Sequence, residues 1–520
     1  GASERFRSLA QDSVKLLGPG NSMEKAACLP LAWALTHGGL PAQGLLELEQ
    51  ALAAHETMRS TLMSEEQRMA FTGTSEGAFA AAAWCYAEQG DITAAFNTVE
   101  RGRAISLREV LAARQMQESK GGLSPVTIVA RDVDALESEQ MRLAYAAPDG
   151  TRGIAATSGL LAERRQERDT LLTKAFEDNV RLKHMWSVAP PDIEAVRRKL
   201  GPDTVVVAYC QPEGDPLLDW RPDDMWIFLF DQRSTRLARM PLHGFDLAAA
   251  VERYVGLLKD RKSNERVLNE TAMELRGVLI DPVLEELNPY ETLVVVPWGE
   301  LAYVPFSALL EETELEPKNI VLAPSVGIYE YIDVEPTPLR SLVALGDPQT
   351  EFPPLRGARQ EVEEIQKYFF GSAVFFGSDA TETKLRGPGV STDVVHLACH
   401  GMMNEDMPAY SFLALAPGAG NDGRLEMHEI AALDWTPPEL VVLSACKTGT
   451  GKLGGGSEVM ALARGFMVAG APSVVCSLWP VDDEATRIFM SAFYAALQGG
   501  ALKAEALRKA QEAVRANPEY

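Results

Sequence analysis

The apolar positions change their period along the chain. Over residues 1–120, Ala, Leu, Glu and Gln dominate, Pro is scarce, and apolar residues recur at the spacing of amphipathic helices. The stretch AFAAAAWCYAEQGDITAAFNTVERGRAISLREVL (78–111) predicts a helix, a short turn at Gly90-Asp91 and a second helix. GGLPAQGLLELEQAL (38–52) carries a similar turn-then-helix signal, and residues 130–200 continue a charged helical pattern broken at APDGTRG (147–153). After Gly201-Pro202 the texture shifts to short β-branched runs bounded by Gly, Pro and Asp: DTVVVAYC, MWIFLFD, ETLVVVPWG and NIVLAPS. From residue 338 the alternation is regular. SLVALGDP, SAVFFGSDA, DVVHLACHG, SFLALAPG, ELVVLSACKTG and PSVVCSLWP read as strands, with EVEEIQKYFF and SEVMALARGFMVAG as helices. Strands that are apolar throughout and alternate with helices predict parallel strands buried on both faces, an α/β sandwich.

Composition narrows the function classes. At 520 residues, two to four domains are expected, and 46% hydrophobic with 23% charged residues are globular values. A formal charge of −24 excludes a general nucleic-acid binder, which needs a basic face to displace counterions. No run approaches 18 apolar residues, and GASERFRSLAQDS lacks a signal-peptide core, so neither a membrane span nor export is expected. The chain opens on Gly1-Ala2-Ser3 without a Met, as a cut or tagged piece would. Six cysteines (Cys28, Cys85, Cys210, Cys399, Cys446, Cys476) form no CxxC pair, which points to reduced thiols in the cytosol.

Three chemistries compete for the candidate residues. His396 and His400 are four apart, as in HExxH, but no Glu lies between them and the flanking residues favour a strand. On one strand Cys399 faces away from both, so zinc ligands do not converge and no metal or other cofactor is expected. GTGKLGGGS (449–457) resembles a phosphate loop but departs from GxxxxGK[ST] at Cys446 and Leu453, and reads better as a mobile loop. The third chemistry uses two strand ends. ELVVLSAC and DVVHLACH place Cys446 and His400 at the carboxyl ends of buried strands, the edge where ligands collect in open α/β sheets. A thiol beside an imidazole is an activated nucleophile, and the imidazole later protonates the leaving amine. Gly401 allows close approach, so its N–H and that of Cys446 are candidate oxyanion donors. The pair is separated by 46 residues, near the roughly 50 of caspase-type sequences.

HLACHG and LSACKTG resemble the His and Cys motifs of CHAT-domain peptidases, relatives of caspases and separases with the caspase–haemoglobinase fold. LVVVPWGELAYVPFSALL (293–310), NIVLAPS (319–325), PLRGARQEVEEI (354–365) and AGAPSVVCSLWPVDDEAT (469–486) extend the resemblance over roughly residues 200–516. It implies a pseudo-caspase-like half at 201–337 and an active caspase-like half at 338–520, with His400 as general base and Cys446 as nucleophile. Cys210 and His243, in the first of these halves, lack the motif context. His396 and Cys399 become structural. Residues 78–111 resemble a tetratricopeptide (TPR) helical hairpin, although the two turns lie 51 residues apart against a period of about 34, so a plain helical bundle stays equally open. A helical TPR-like region before a CHAT domain is a common family arrangement, and residues 1–190 are expected to be regulatory, binding a protein partner.

The implied activity is a cysteine endopeptidase acting on a protein substrate; family members are effectors of bacterial immunity. The alternative is an inert TPR-like/CHAT scaffold. Two features depart from the family: Ala445 stands where several relatives carry Asp, and the chain stops at NPEY where an aromatic-rich closing strand usually follows. For specificity, Asp482 and Asp483 in SLWPVDDEAT match a separase segment in which the second Asp meets a basic P1 side chain, and Glu458 adds negative charge. The competing reading has these acids only capping a helix.

Overall fold

A computed structural model describes residues 31, 35, 40–60, 76–103, 192–211, 223–260, 262–311, 313–315, 317–330, 337–386, 391–402, 411–418, 420–431, 433, 435–444, 446–447, 457–479 and 481–519. Residues 104–111, most of the helical pattern at 130–200, and the Gly-rich loop through Gly456 lie outside the described residues. The chain divides into two compact units.

The first unit comprises Gly1–Lys199, Cys210–Pro241 and Pro324–Tyr331. Its helices run over Pro41–Ser60, Glu76–Glu88 and Ile92–Gly102. The expected turn is present: Gly90 adopts φ 81, and Asp91 caps the next helix by accepting the Ala94 N–H at 2.9 Å. Phe96 from the second helix of this hairpin stacks on Phe230 at 5.1 Å and packs on Phe228 at 5.4 Å. Both belong to the hairpin of Asp224–Phe230 with Thr235–Pro241. That pairing is antiparallel, because the connection of four residues is too short for a crossover. Glu100 is wholly buried; its carboxylate accepts from Arg103 at 2.7 Å, from Ser325 Oγ at 2.9 Å and from the Val326 N–H at 2.7 Å. A buried charge needs such partners, so this set ties helix Ile92–Gly102 to the 324–331 segment.

The second unit comprises Leu200–Tyr209, Leu242–Ala323 and Ile332–Tyr520. It contributes three strands that run parallel, β1 (Thr204–Cys210), β2 (Thr292–Val296) and β3 (Asn319–Leu322), with β2 pairing to both of the others. The second sheet holds β4 (Ser341–Pro348), β5 (Gly371–Gly377), β6 (Val394–Ala398), β10 (Leu440–Leu443) and β12 (Val474–Cys476), in the order β12-β10-β6-β4-β5 with every pairing parallel. The central strands β6 and β10 are buried at every position, the pattern a sheet covered on both faces requires. Alternate residues feed two cores. Val395, Leu397, Val441 and Leu443 join Trp435 and Phe466 on one face; Val394, Ala398, Leu440 and Val442 join Phe493 and Tyr494 on the other. The α/β expectation therefore holds in this unit.

A small sheet departs from it. β7 (His400–Met402), β8 (Phe412–Ala414), β9 (Arg424–Glu426) and β11 (Cys446–Lys447) form a separate ladder in the order β9-β8-β7-β11. DVVHLACHG is not one strand: it breaks at Cys399, so His396 and His400 lie in different sheets. SFLALAPG pairs antiparallel in this ladder instead of joining the parallel sheet. Helix α1 (Arg356–Ile365) follows β4, and helix α2 (Asp483–Gln498) follows β12. Both begin at the carboxyl edge of the large sheet, where the small sheet starts. Among the described residues, no helix is long and apolar enough to cross a membrane.

Candidate active site

Two neighbouring buried strands leave the large sheet and re-pair in the small one. β6 passes through Cys399 into His400, and β10 passes through Ser444 and Ala445 into Cys446. Cys446 and His400 are Cα partners in a parallel pairing, and Lys447 and Gly401 are the next pair. Adjacent strands lie about 4.8 Å apart, so the backbone sets the two candidates side by side on the first rung. On its other flank His400 pairs with Ala414, and Gly401 with Leu413.

The imidazole of His400 is 8% exposed and its tautomer is set by the backbone. Nε2 lies 2.7 Å from the carbonyl oxygen of Pro353. A carbonyl only accepts, so Nε2 carries the hydrogen, and Nδ1 is the basic nitrogen of the neutral ring. Nδ1 is buried and has no hydrogen-bond partner among the described residues. The Phe352 ring leans on the imidazole at 5.4 Å and 50°. Phe352 and Pro353 escaped the sequence reading. The signal available was FPP placed directly after SLVALGDP, at the carboxyl edge that carries the two motifs.

A second polar group lies beneath. His396 on β6 is fully buried, with Nδ1 3.0 Å from the Tyr494 hydroxyl. Its Nε2 is 2.9 Å from Glu361 Oε1, within ion-pair range but off the line a hydrogen bond needs. The other oxygen, Glu361 Oε2, accepts from Ser444 Oγ at 3.1 Å. Burial first, and the Glu361 charge second, push the Tyr494 phenol well above its ordinary range, so it stays neutral. His396 is thus a core histidine, hydrogen-bonded at Nδ1 and set beside a carboxylate at Nε2. Glu361, Tyr494 and Ser444 were not foreseen, because their meeting joins α1, α2 and the end of β10.

The three acids separate. Asp482 caps α2, its Oδ1 accepting the N–H groups of Glu484 and Ala485 at 3.0 Å each. Asp483 is exposed, with no hydrogen-bond or ion-pair partner among the described residues. It lies against the first turn of α1: a Cβ on Gly357 would fall 2.6 Å from Asp483 Cβ, so only Gly permits this approach. Glu458 is in the helix Ser457–Val468, and its side chain lies outside the described residues, as does Ala445. Elsewhere, Cys210 is fully buried and His243 is exposed in a left-handed turn of φ 52. Burial pushes the Cys399 thiol up to about 12 and that of Cys476 up to about 11. Both remain protonated and inert at neutral pH.

A parallel sheet sandwiched by helices, with candidate groups just beyond the carboxyl ends of adjacent strands, defines an α/β protein whose candidate site lies at the edge where ligands collect in such sheets. Residues 269–520 match the family described as "CHAT domain". Among curated proteins the chain is similar to tetratricopeptide repeat protein 28 of Homo sapiens, 37% identical over 84 residues, covering 16% of this chain and 3% of that one. It is also similar to tetratricopeptide repeat protein 28 of Mus musculus, 23% identical over 289 residues, covering 44% of this chain and 12% of that one. The chain thus spans a small fraction of the length of these relatives. Among solved structures, the separase–securin complex of Saccharomyces cerevisiae aligns with a TM-score of 0.36 and 12% identity, over 99% of this chain and 52% of that one.

Proposed function

We propose that the chain is a cysteine endopeptidase in which Cys446 is the nucleophile and His400 the general base. The observation that carries the reading is the set tautomer of His400 on a residue whose strand partner is Cys446. His400 Nδ1 takes the thiol proton as sulfur attacks the scissile carbonyl carbon. The oxyanion is held by the N–H groups of Gly401 and Cys446. The C–N bond then breaks, Nδ1 returns the proton to the leaving amine, and a thioester remains. Water gives a proton to Nδ1 as its oxygen attacks the thioester, the C–S bond breaks, and the thiol takes the proton back.

The finer proposals follow the same order of support. Asp483, exposed and unpaired, suits a basic P1 side chain, while Asp482 is engaged as a cap. Residues 1–190 act as a regulatory region for a protein partner, 201–337 as a companion half without its own dyad, and 338–520 as the active half. A reduced, cytoplasmic setting fits six cysteines without a CxxC pair. A role in prokaryotic immunity is what the family resemblance adds. The second reading, an inert scaffold, is favoured by one observation only, the likeness to tetratricopeptide repeat proteins.

The test is a fluorogenic peptide library cleaved by the native chain, Cys446→Ala and His400→Ala. Cleavage lost in both variants, with unchanged thermal melting, supports the peptidase. Turnover retained by either variant removes the dyad, and an inactive native chain whose Cys446 resists a thiol-reactive peptide probe favours the scaffold.

A further inference from the structure

Asp347 stands at the end of β4 in a conformation few side chains adopt. Its φ is 47, a left-handed value tolerated by Gly, Asn and Asp. It is also the unpaired residue of a register shift: Gly346 pairs with Phe376 and Pro348 with Gly377, leaving Asp347 between them. Such bulges re-aim a side chain, and they cluster beside active sites. Here the re-aimed carboxylate accepts the Leu355 N–H at 2.7 Å, eight residues on. The one cation near it, among the described residues, is Arg359, whose Nε is 3.9 Å from Oδ2.

We propose that Asp347 is a positioning residue for His400, acting through the loop it closes. Between Asp347 and Leu355 the chain delivers both groups that hold the imidazole, the Phe352 ring and the Pro353 carbonyl. Pro354 alone separates Pro353 from the anchored Leu355, and proline fixes its own φ. Fixing the Leu355 N–H therefore leaves the Pro353 carbonyl little freedom. Helix α1 starts at the same point, and Leu355 provides no side-chain cap, so the anchor comes from Asp347. An acceptor on Asp347 thus sets where His400 Nε2–H points, and through the rigid ring where Nδ1 faces.

The inference rests on the reading of His400 as the base for Cys446. Its test uses the intact chain and a readout independent of peptide cleavage, the rate of iodoacetamide alkylation at Cys446 against pH, followed by mass spectrometry of the Cys446 peptide. Asp347→Asn keeps an acceptor oxygen and tolerates the left-handed φ, so its profile should match the native one within about twofold. Asp347→Gly keeps the backbone but loses the acceptor. It should alkylate about tenfold more slowly at pH 7, with its midpoint moved up toward the roughly 8.5 of a free thiol. Asp347→Ala should be at least as slow, and if it fails to fold, the Gly variant carries the test. A native profile in Asp347→Gly overturns the proposal, and so does Asp347→Asn as slow as Gly. Failure of the peptidase reading shows separately, as cleavage that survives Cys446→Ala.

Discussion

His400 gives its Nε2 hydrogen to the backbone of Pro353, not to a carboxylate. A neutral carbonyl fixes the tautomer without adding charge beside the ring, so Nδ1, without a hydrogen-bond partner among the described residues, is left as the basic nitrogen of a residue whose strand partner is Cys446. The carboxylates nearby serve other ends. Glu361 is committed to His396 and Ser444, and Asp482 to a helix cap.

Because the orienting group is a carbonyl, substitution at Pro353 should matter less than at its neighbour. Pro353→Ala keeps the acceptor and should cost kcat no more than about threefold. Phe352→Ala removes the ring against which the imidazole leans and should lower kcat about tenfold with little change in KM, the pattern of a misaimed base. Steady-state kinetics on one peptide checks this. A loss confined to KM in Phe352→Ala would assign the ring to substrate contact instead.

The buried set around His396 predicts a particular non-additivity. Glu361→Leu removes the carboxylate beside His396 Nε2 and the acceptor of the Ser444 hydroxyl, and should lower stability by about 3–5 kcal/mol. The double variant Glu361→Leu with His396→Leu removes both ionisable partners and should be less destabilised than the sum of the two single changes. Ser444→Ala, losing one hydrogen bond, should cost about 1 kcal/mol. Urea unfolding monitored by tryptophan fluorescence reads all four chains. Strictly additive losses would show that the groups do not act as a unit.

How much of this was legible follows from how local each signal is. β6 and β10 could be read from VVHLA and LVVL because a strand buried on both faces is apolar at every position. The hairpin of Glu76–Glu88 with Ile92–Gly102 was equally local, since Gly90 and Asp91 are turn and cap chemistry adjacent in sequence. The break at Cys399 was invisible, because apolar continuity does not show where hydrogen bonding passes from one sheet to another. Pro353, Glu361 and Tyr494 were invisible for a different reason. They meet His400 and His396 across 47, 35 and 98 residues, and nothing in their own windows announces a partner. Asp482 and Asp483 were ambiguous as a pair; only the helix geometry assigns the cap to the first.

The raised thiols make a pH prediction. Folded Cys399 and Cys476 ionise near 12 and 11, while an unfolded thiol ionises at about 8.5. The fold thus favours their protonated forms: the stability is fully present below about pH 8.5 and is lost progressively as pH rises toward 11. Thermal melting of Cys399→Ala should fall less steeply over that window than the native chain. At pH 7 the shift leaves the fully buried Cys399 essentially unlabelled by iodoacetamide. Labelling of Cys399 at a rate matching Cys446 would contradict the burial argument.

The last prediction separates the two aspartates before and within α2. Asp482→Asn keeps a good cap and should change neither stability nor cleavage preference, whereas Asp482→Ala should cost about 1 kcal/mol through the freed N–H groups of Glu484 and Ala485. Asp483→Asn keeps shape and removes charge; it should lower kcat/KM for Arg or Lys at P1 about tenfold and leave apolar P1 substrates unaffected. Gly357→Ala provides the independent check. Its methyl would intrude to 2.6 Å from Asp483 Cβ and must displace the carboxylate without neutralising it. If Asp483 reads the substrate, Gly357→Ala should weaken the basic preference in the same direction as Asp483→Asn. A library in which Asp483→Asn keeps the native P1 profile would leave Asp483 as a helix N-terminal charge and nothing more.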